Sequence, residues 1–251
     1  MLAATRSPDE VRALIASVPR WYHRIELSPG LVTPGINDSP RVLQELALPA
    51  DLKGARALDL GTRDGYFAFE LERRGADVLA IDYCAADETG FGVASAILGS
   101  RVFFRQANIY ELRARDLGTF DVVLFLGLIY HLPDPMRAIR IVRGLSRRWM
   151  WLESHLGLTG PETIDGTPMM VFYPRATLGG DPTNYWGPNR ACLRAMLEEN
   201  EFRVAAESEI GNRGFFRCET VEDERLGKLG RLAYGGDDPR SPGNASPASR
   251  P

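Results

Sequence analysis

Apolar and polar positions change rhythm near residue 56, and the change divides the chain. Before it, Val11, Leu14, Ile15 and Val18 recur at helical spacing behind Ser7-Pro8-Asp9-Glu10. That tetrapeptide holds a capping serine, a proline at the first helical position and a glutamate at capping-box spacing, so it predicts a helix start. Pro19 stops this helix, residues 21–38 read as irregular, and Ser39-Pro40 opens a second short helix through Leu46. From Arg56 onward, short apolar runs alternate with helical stretches. Strands are predicted at 57–60, 78–81, 102–104, 120–125 and 149–152, with helices at 67–74, 88–98 and 135–145. The run Phe120 to Phe125 is almost wholly apolar, as a strand buried on both faces must be. Strands alternating with helices predict a parallel, doubly wound α/β sheet.

The rhythm breaks between Ser154 and Gly187, where Gly, Pro and Thr cluster around isolated aromatics. This stretch reads as an insertion over the strand ends. A helix at 188–200 and strands at 202–206 and 214–218 close the fold. The tail 235–251 is rich in Pro, Gly, Ser and Asp, has almost no apolar content, and is expected to be disordered. The domain reading is an N-terminal helical arm over 1–50, one α/β domain over 51–234 with its insertion, and the tail.

Composition narrows the class. With 251 residues and 44% hydrophobic content the chain supports a full core without staples. Thirty basic residues against 33 acidic ones argue against a nucleic-acid partner. Three cysteines, Cys84, Cys192 and Cys218, form no CxxC pair, so neither a zinc site nor a disulfide framework is indicated. No apolar run suits a leader or a membrane span, and a cytoplasmic protein is expected.

The sharpest local signal is Leu58-Asp59-Leu60-Gly61-Thr62-Arg63-Asp64-Gly65, a strand, a glycine-bearing turn and a helix start. Gly61 lets a ligand approach the backbone, and the helix start offers free N–H groups. Asp82 ends the second strand, 23 residues after Asp59, where a carboxylate can accept both hydroxyls of a ribose. Dinucleotide enzymes use the same geometry but favour GxGxxG; here Arg63 stands where a second glycine would be, and Asp64 would repel phosphates. A nucleoside with an amino-acid arm fits better, Asp59 or a nearby acid balancing its ammonium.

LDLGTRDGYFAFEL resembles motif I of the class I methyltransferases that use S-adenosylmethionine (SAM) and release S-adenosylhomocysteine. Its form is closest to the branch that includes the tRNA wobble-uridine carboxymethyltransferase and small-molecule natural-product methyltransferases. FDVVLFLGLIYHLPDP, Trp21-Tyr22-His23 with Thr33-Pro34-Gly35, and Asn184-Tyr185-Trp186-Gly187-Pro188 resemble three further blocks of that branch. The resemblance implies a Rossmann-like seven-stranded sheet with the last strand antiparallel. It implies that Asp59, Gly61, Thr62 and Gly65 line the cofactor, that Asp82 with Tyr83 holds the ribose, that Asn108 with Ile109 meets the adenine, and that Leu126 and Gly127 face the methionine arm.

Methyl transfer needs alignment of the acceptor and, for a protic acceptor, a base. The chain has three histidines, and His131 at the end of the fourth strand and His23 in the arm are the candidate bases, with Tyr130 a further catalytic candidate. His155, near Glu153, is a third candidate and a substrate contact. Trp21, Tyr22, Tyr185 and Trp186 are candidate pocket walls. In the wobble-uridine enzymes a Tyr and an Arg hold the extra carboxylate of carboxy-SAM; Tyr130 and Arg213 match those positions, but no Lys lies between Met1 and Leu52. The preferred reading is plain SAM and a small-molecule acceptor, by a monomer or homodimer without a metal. Its rivals are a carboxy-SAM tRNA enzyme, an NAD-dependent oxidoreductase and a non-catalytic SAM-fold protein.

Overall fold

A computed structural model describes residues 6–157, 166–226, 228 and 229. Residues 158–165 of the expected insertion, and the expected disordered tail, lie outside the described residues. The chain divides into two compact units, 1–108 and 109–251. Residues 1–50, the expected arm, fall within the first of these units.

In the first unit, α1 (Pro8–Ser17) begins with the expected capping box, Ser7 and Glu10 each accepting the other's backbone N–H. Residues 21–38 are not wholly irregular, because β1 (Glu26–Ser28) and β2 (Leu31–Val32) pair as a small antiparallel hairpin. Two- and three-residue strands carry too little alternation to be legible. After α2 (Ser39–Leu46) come β3 (Arg56–Leu60), α3 (Tyr66–Arg73), β4 (Asp77–Asp82), α4 (Phe91–Leu98) and β5 (Phe103–Gln106). The three strands β3, β4 and β5 are parallel, with Asp59 beside Ala80 and Asp82 beside Gln106. Helix α4 starts three residues later than the pattern suggested: Glu88 and Gly90 lie in the turn before it.

The second unit holds α5 (Ala114–Leu117), β6 (Phe120–Leu126), α6 (Pro135–Leu145), β7 (Ser146–His155), β8 (Met170–Phe172), β9 (Trp186–Pro188), α7 (Arg190–Glu198), β10 (Phe202–Ile210) and β11 (Arg213–Thr220). β6 is buried along nearly its whole length, and α6 has the expected bounds. β7 is much longer than expected and runs through Ser154 and His155, so the insertion begins after them. The insertion carries the β8–β9 hairpin, and Pro188 is its last strand residue rather than a helix start; Asn189 caps α7 instead. β6 and β7 are parallel, while β11 runs antiparallel to both β7 and β10. Seven strands make one mixed sheet in the order β10-β11-β7-β6-β3-β4-β5. No helix among the described residues is long and apolar enough to cross a membrane.

Candidate functional site

In the first unit the site grows from the turn between β3 and α3. Gly61 and Gly65 take left-handed φ values of 74° and 91°, and Arg63 does so at 51°. Arg63 thus takes the left-handed shape that a glycine would take without strain, at a cost of about 1–2 kcal/mol. Its backbone N–H donates to Asp82 Oδ2 at 2.9 Å, and the Cys84 N–H donates to Asp82 Oδ1 at 3.0 Å. Two amides thus hold the buried Asp82 carboxylate at the end of β4, each oxygen keeping capacity for a further donor.

Asp59 is buried behind the turn, and burial pushes its carboxyl up to about 7, with the charge of Asp82 adding to the rise. Asp59 Oδ2 and Thr62 Oγ1 are both buried, and a hydrogen bond from the Thr62 side chain to Asp59 works against the rise. Tyr83 is 71% exposed beside Asp82, and Asn108 follows β5 and is exposed.

Asp64 has a role the sequence did not disclose. Its fully buried carboxylate accepts the N–H groups of Tyr22 at 2.6 Å, His23 at 2.8 Å and Gly90 at 2.9 Å. One carboxylate ties the arm to the turn and to the approach to α4. The arm's aromatics are correspondingly internal. Trp21 is buried, donates its indole N–H to the Ile15 carbonyl at 2.9 Å, and lies so close to Gly90 that a Cβ there would sit 2.2 Å from its ring. His23 is buried among Tyr22, Tyr66 and Phe67, and burial lowers its pKa to about 4. Trp21 and His23 pack the arm, so neither is carried forward as a substrate wall or a base. Tyr22 is half-buried, its hydroxyl near the Asn37 amide at 3.4 Å. A groove of 810 Å³ along α3 and the hairpin, lined by Arg24, Glu26, Tyr66, Glu70, Arg73 and others, contains none of the expected site residues.

The second unit gathers Gly127, Tyr130, Glu153 and Arg213. Gly127 leaves β6 at φ 65°, and a Cβ built on it would lie 3.5 Å from Glu153 Oε2 and 3.9 Å from Arg213 Nη2. Arg213 forks onto Glu153, through Nε to Oε1 and through Nη2 to Oε2 at 2.8 Å. Both its Nη atoms also donate to the Tyr130 hydroxyl at 3.3 Å, and its Cζ lies 4.9 Å from that ring's centroid. Burial opposes the guanidinium charge, but Glu153 keeps it protonated. Arg213 sits beside Tyr130, as aligned, and is paired with Glu153.

His155 is not oriented by Glu153, as its sequence position suggested. Its Nε2 meets the Tyr173 hydroxyl at 3.1 Å and its Nδ1 the Asn212 amide at 3.4 Å. His131 follows β6 on a single helical turn, partly exposed, with Nδ1 2.9 Å from Thr183 Oγ1. Burial lowers the pKa of both histidines. Tyr185 donates its N–H to the Tyr130 carbonyl at 2.9 Å, and Trp186 stacks at 5.0 Å on Phe172. Ile109 is buried, and Leu126 is half-buried at the end of β6. Among the described residues no cluster of His, Cys, Asp and Glu is arranged to hold a metal ion.

A family model described as a methyltransferase domain matches residues 37–161. The ubiquinone biosynthesis O-methyltransferase of Xanthomonas euvesicatoria pv. vesicatoria (strain 85-10) is 32% identical over 107 residues, 43% of this chain and 45% of that protein. Its namesake from Bordetella avium (strain 197N) is 29% identical over 110 residues, 44% of this chain and 45% of that protein. The chain thus spans a little under half the length of these curated relatives. Among solved structures, the N-terminal domain of EvdMO1 with S-adenosylhomocysteine bound matches with a TM-score of 0.62 and 22% identity, over 87% of this chain and 98% of that one. The 1,6-didemethyltoxoflavin-N1-methyltransferase of Burkholderia thailandensis matches with a TM-score of 0.52 and 18% identity, over 88% of this chain and 94% of that one. These likenesses confirm the Rossmann-like α/β fold. Motif, family match and fold thus agree that residues 37–161 are a methyltransferase domain.

Proposed function

We propose that the chain transfers a methyl group from SAM to a hydroxyl group of a small molecule. The observation that carries this is the Asp82 carboxylate, buried at the end of β4 and fixed by the Arg63 amide of the Gly61–Gly65 turn and the Cys84 amide just past β4. A carboxylate so held is preorganised to accept ribose hydroxyls, each bond worth roughly 1.5–3 kcal/mol. Asp59 and Thr62 shape the turn behind it, Tyr83, Asn108 and Ile109 serve the base, and Leu126 and Gly127 serve the amino-acid arm. Bound SAM supplies a methyl on a sulfonium sulfur, so a carbon–oxygen bond forms as the carbon–sulfur bond breaks, its electron pair staying on sulfur and the acceptor's proton passing to a base.

The hydroxyl acceptor is supported by the O-methyltransferase relatives and by His131, a partly exposed imidazole that burial keeps neutral at pH 7. Tyr185 and Trp186 in the second unit, and Tyr22 in the first, remain candidate substrate contacts. Plain SAM is preferred over carboxy-SAM because Arg213 is committed to Glu153. Three free thiols accord with a cytoplasmic setting.

The test is incubation with SAM and a panel of small catechols, phenols and sugars, read by mass spectrometry. We expect one acceptor class to gain 14 mass units, the ~14 Da of one CH₂, as S-adenosylhomocysteine accumulates, with loss of roughly 100-fold or more in His131→Gln. Transfer of a carboxymethyl group, or turnover with NAD instead, would contradict the reading.

A further inference from the structure

The hydrogen bonds around His131 determine which of its nitrogens carries the proton. Thr183 has one hydroxyl proton, and Asp181 Oδ1 accepts it at 2.6 Å while also accepting the Thr183 N–H at 2.8 Å. An O–H···O⁻ bond of that length is charge-assisted and about twice as strong as a neutral one, so Asp181 outcompetes an imidazole nitrogen for the proton. Thr183 Oγ1 therefore presents only lone pairs toward His131 Nδ1, 2.9 Å away. A bond there requires Nδ1 to be the donor. A neutral imidazole with a proton on Nδ1 has a bare lone pair on Nε2.

The turn that carries Asp181 and Thr183 is held on both sides. The Asn184 amide donates to the Leu178 carbonyl at 2.9 Å, the Tyr185 N–H to the Tyr130 carbonyl at 2.9 Å, and the Trp186 indole to the Pro133 carbonyl at 3.3 Å. The last two clamp it to the loop that bears His131. Burial opposes the ring's charge most, Asp181 and the Thr183 backbone favour the imidazolium, and Arg213 opposes it. Tyr130 stacks at 4.2 Å between centroids.

We propose that Asp181 and Thr183 are positioning residues that lock His131 in the Nδ1–H tautomer, leaving Nε2 as the base that takes the proton of the acceptor hydroxyl. This rests on the methyltransferase reading above. The acceptor's O–H bond breaks and its proton forms the Nε2–H bond. The resulting imidazolium is steadied through Nδ1–H, Thr183 and Asp181 until it returns the proton to solvent.

The test is long-range ¹H–¹⁵N NMR of the full chain labelled with ¹⁵N-histidine, His131 being assigned from His131→Gln. No cofactor or acceptor is needed, so the result is independent of whether the chain binds SAM. The expected spectrum shows His131 neutral with Nδ1 protonated. Thr183→Val moves the proton to Nε2, Thr183→Ser restores the parent pattern, and Asp181→Asn lowers the His131 titration midpoint. With an acceptor in hand, Thr183→Val lowers kcat roughly tenfold or more at unchanged KM for SAM, and Thr183→Ser recovers it. An Nε2–H tautomer in the parent, or Nδ1–H persisting in Thr183→Val, overturns the proposal. Failure to bind S-adenosylhomocysteine overturns the methyltransferase reading instead and leaves these resonances unchanged.

Discussion

The arm over residues 18–38 and the segment over 166–189 look alike as sequence. Each is rich in Gly and Pro and dotted with aromatics, and each was expected to supply side chains to a substrate. They fold into opposite kinds of structure. The arm buries Trp21 and His23 to 4% exposure and hangs on one internal carboxylate, Asp64, through backbone N–H groups. The later segment leaves Phe172 53% exposed and makes its characteristic contacts through side chains, Thr183 to His131 and Tyr173 to His155. The difference teaches that a histidine among aromatics is a packing residue where buried backbone amides are anchored nearby, and a chemical one where its own nitrogens are engaged.

The comparison breaks first at Asp64. Asp64→Ala leaves three backbone donors without their acceptor and is expected to cost about 3–5 kcal/mol, read as a fall in the urea midpoint. Asp181→Asn, its counterpart in the later segment, is expected to cost about 0.5 kcal/mol or less. Equal losses would show that the two regions do not differ as described.

Next in size is Asp59. Its folded carboxyl holds a proton up to about 7, whereas an unfolded one releases it near 3.8. The folded chain binds the extra proton, so stability falls as pH rises between those values, and Asp59→Asn removes that slope. The gain on substitution is on the order of 1–3 kcal/mol at pH 8 and much smaller at pH 4. Thermal melts of the cofactor-free chain at both pH values check it, and a gain that does not grow with pH would refute it.

His23 has the opposite sign. Burial depresses its folded pKa from 6.5 to about 4, so its contribution is complete above 6.5 and is lost as pH falls through that window. His23→Leu should flatten the acid limb of the stability profile, a change of about 1–3 kcal/mol at pH 4. Because His23 Nδ1 has no hydrogen-bond partner among the described residues, the apolar replacement forfeits no bond at that atom. Smallest is Arg63→Gly, which relieves a left-handed φ of 51° but frees the unfolded chain; a net gain of about 0.5–1 kcal/mol is expected in denaturant melts.

Much of this was legible because the signals were local. The β3–turn–α3 block, Asp82 at its strand end, the apolar run of β6 and the Pro135–Leu145 helix each depend on neighbours within one element. What escaped was set by distant contacts. Asp64 looked like a misplaced charge in a phosphate loop, because an acceptor of backbone amides leaves no mark on its partners' side chains. Thr183 and Asp181 meet a histidine some fifty residues away. β7 has the exposed, charged Arg147 and Arg148 near its start and β10 runs through Glu207, Ser208 and Glu209 before Ile210, so neither pattern reaches as far as its hydrogen bonds.

The account stands most directly on Asp82, and calorimetric titration of the chain with S-adenosylhomocysteine tests it. Micromolar binding is expected, weakened at least tenfold in Asp82→Ala, roughly 1.4 kcal/mol, with the variant's fold intact by circular dichroism. Binding unaffected by the substitution, or no binding to a well-folded parent, would contradict the assignment of this carboxylate to the cofactor's ribose.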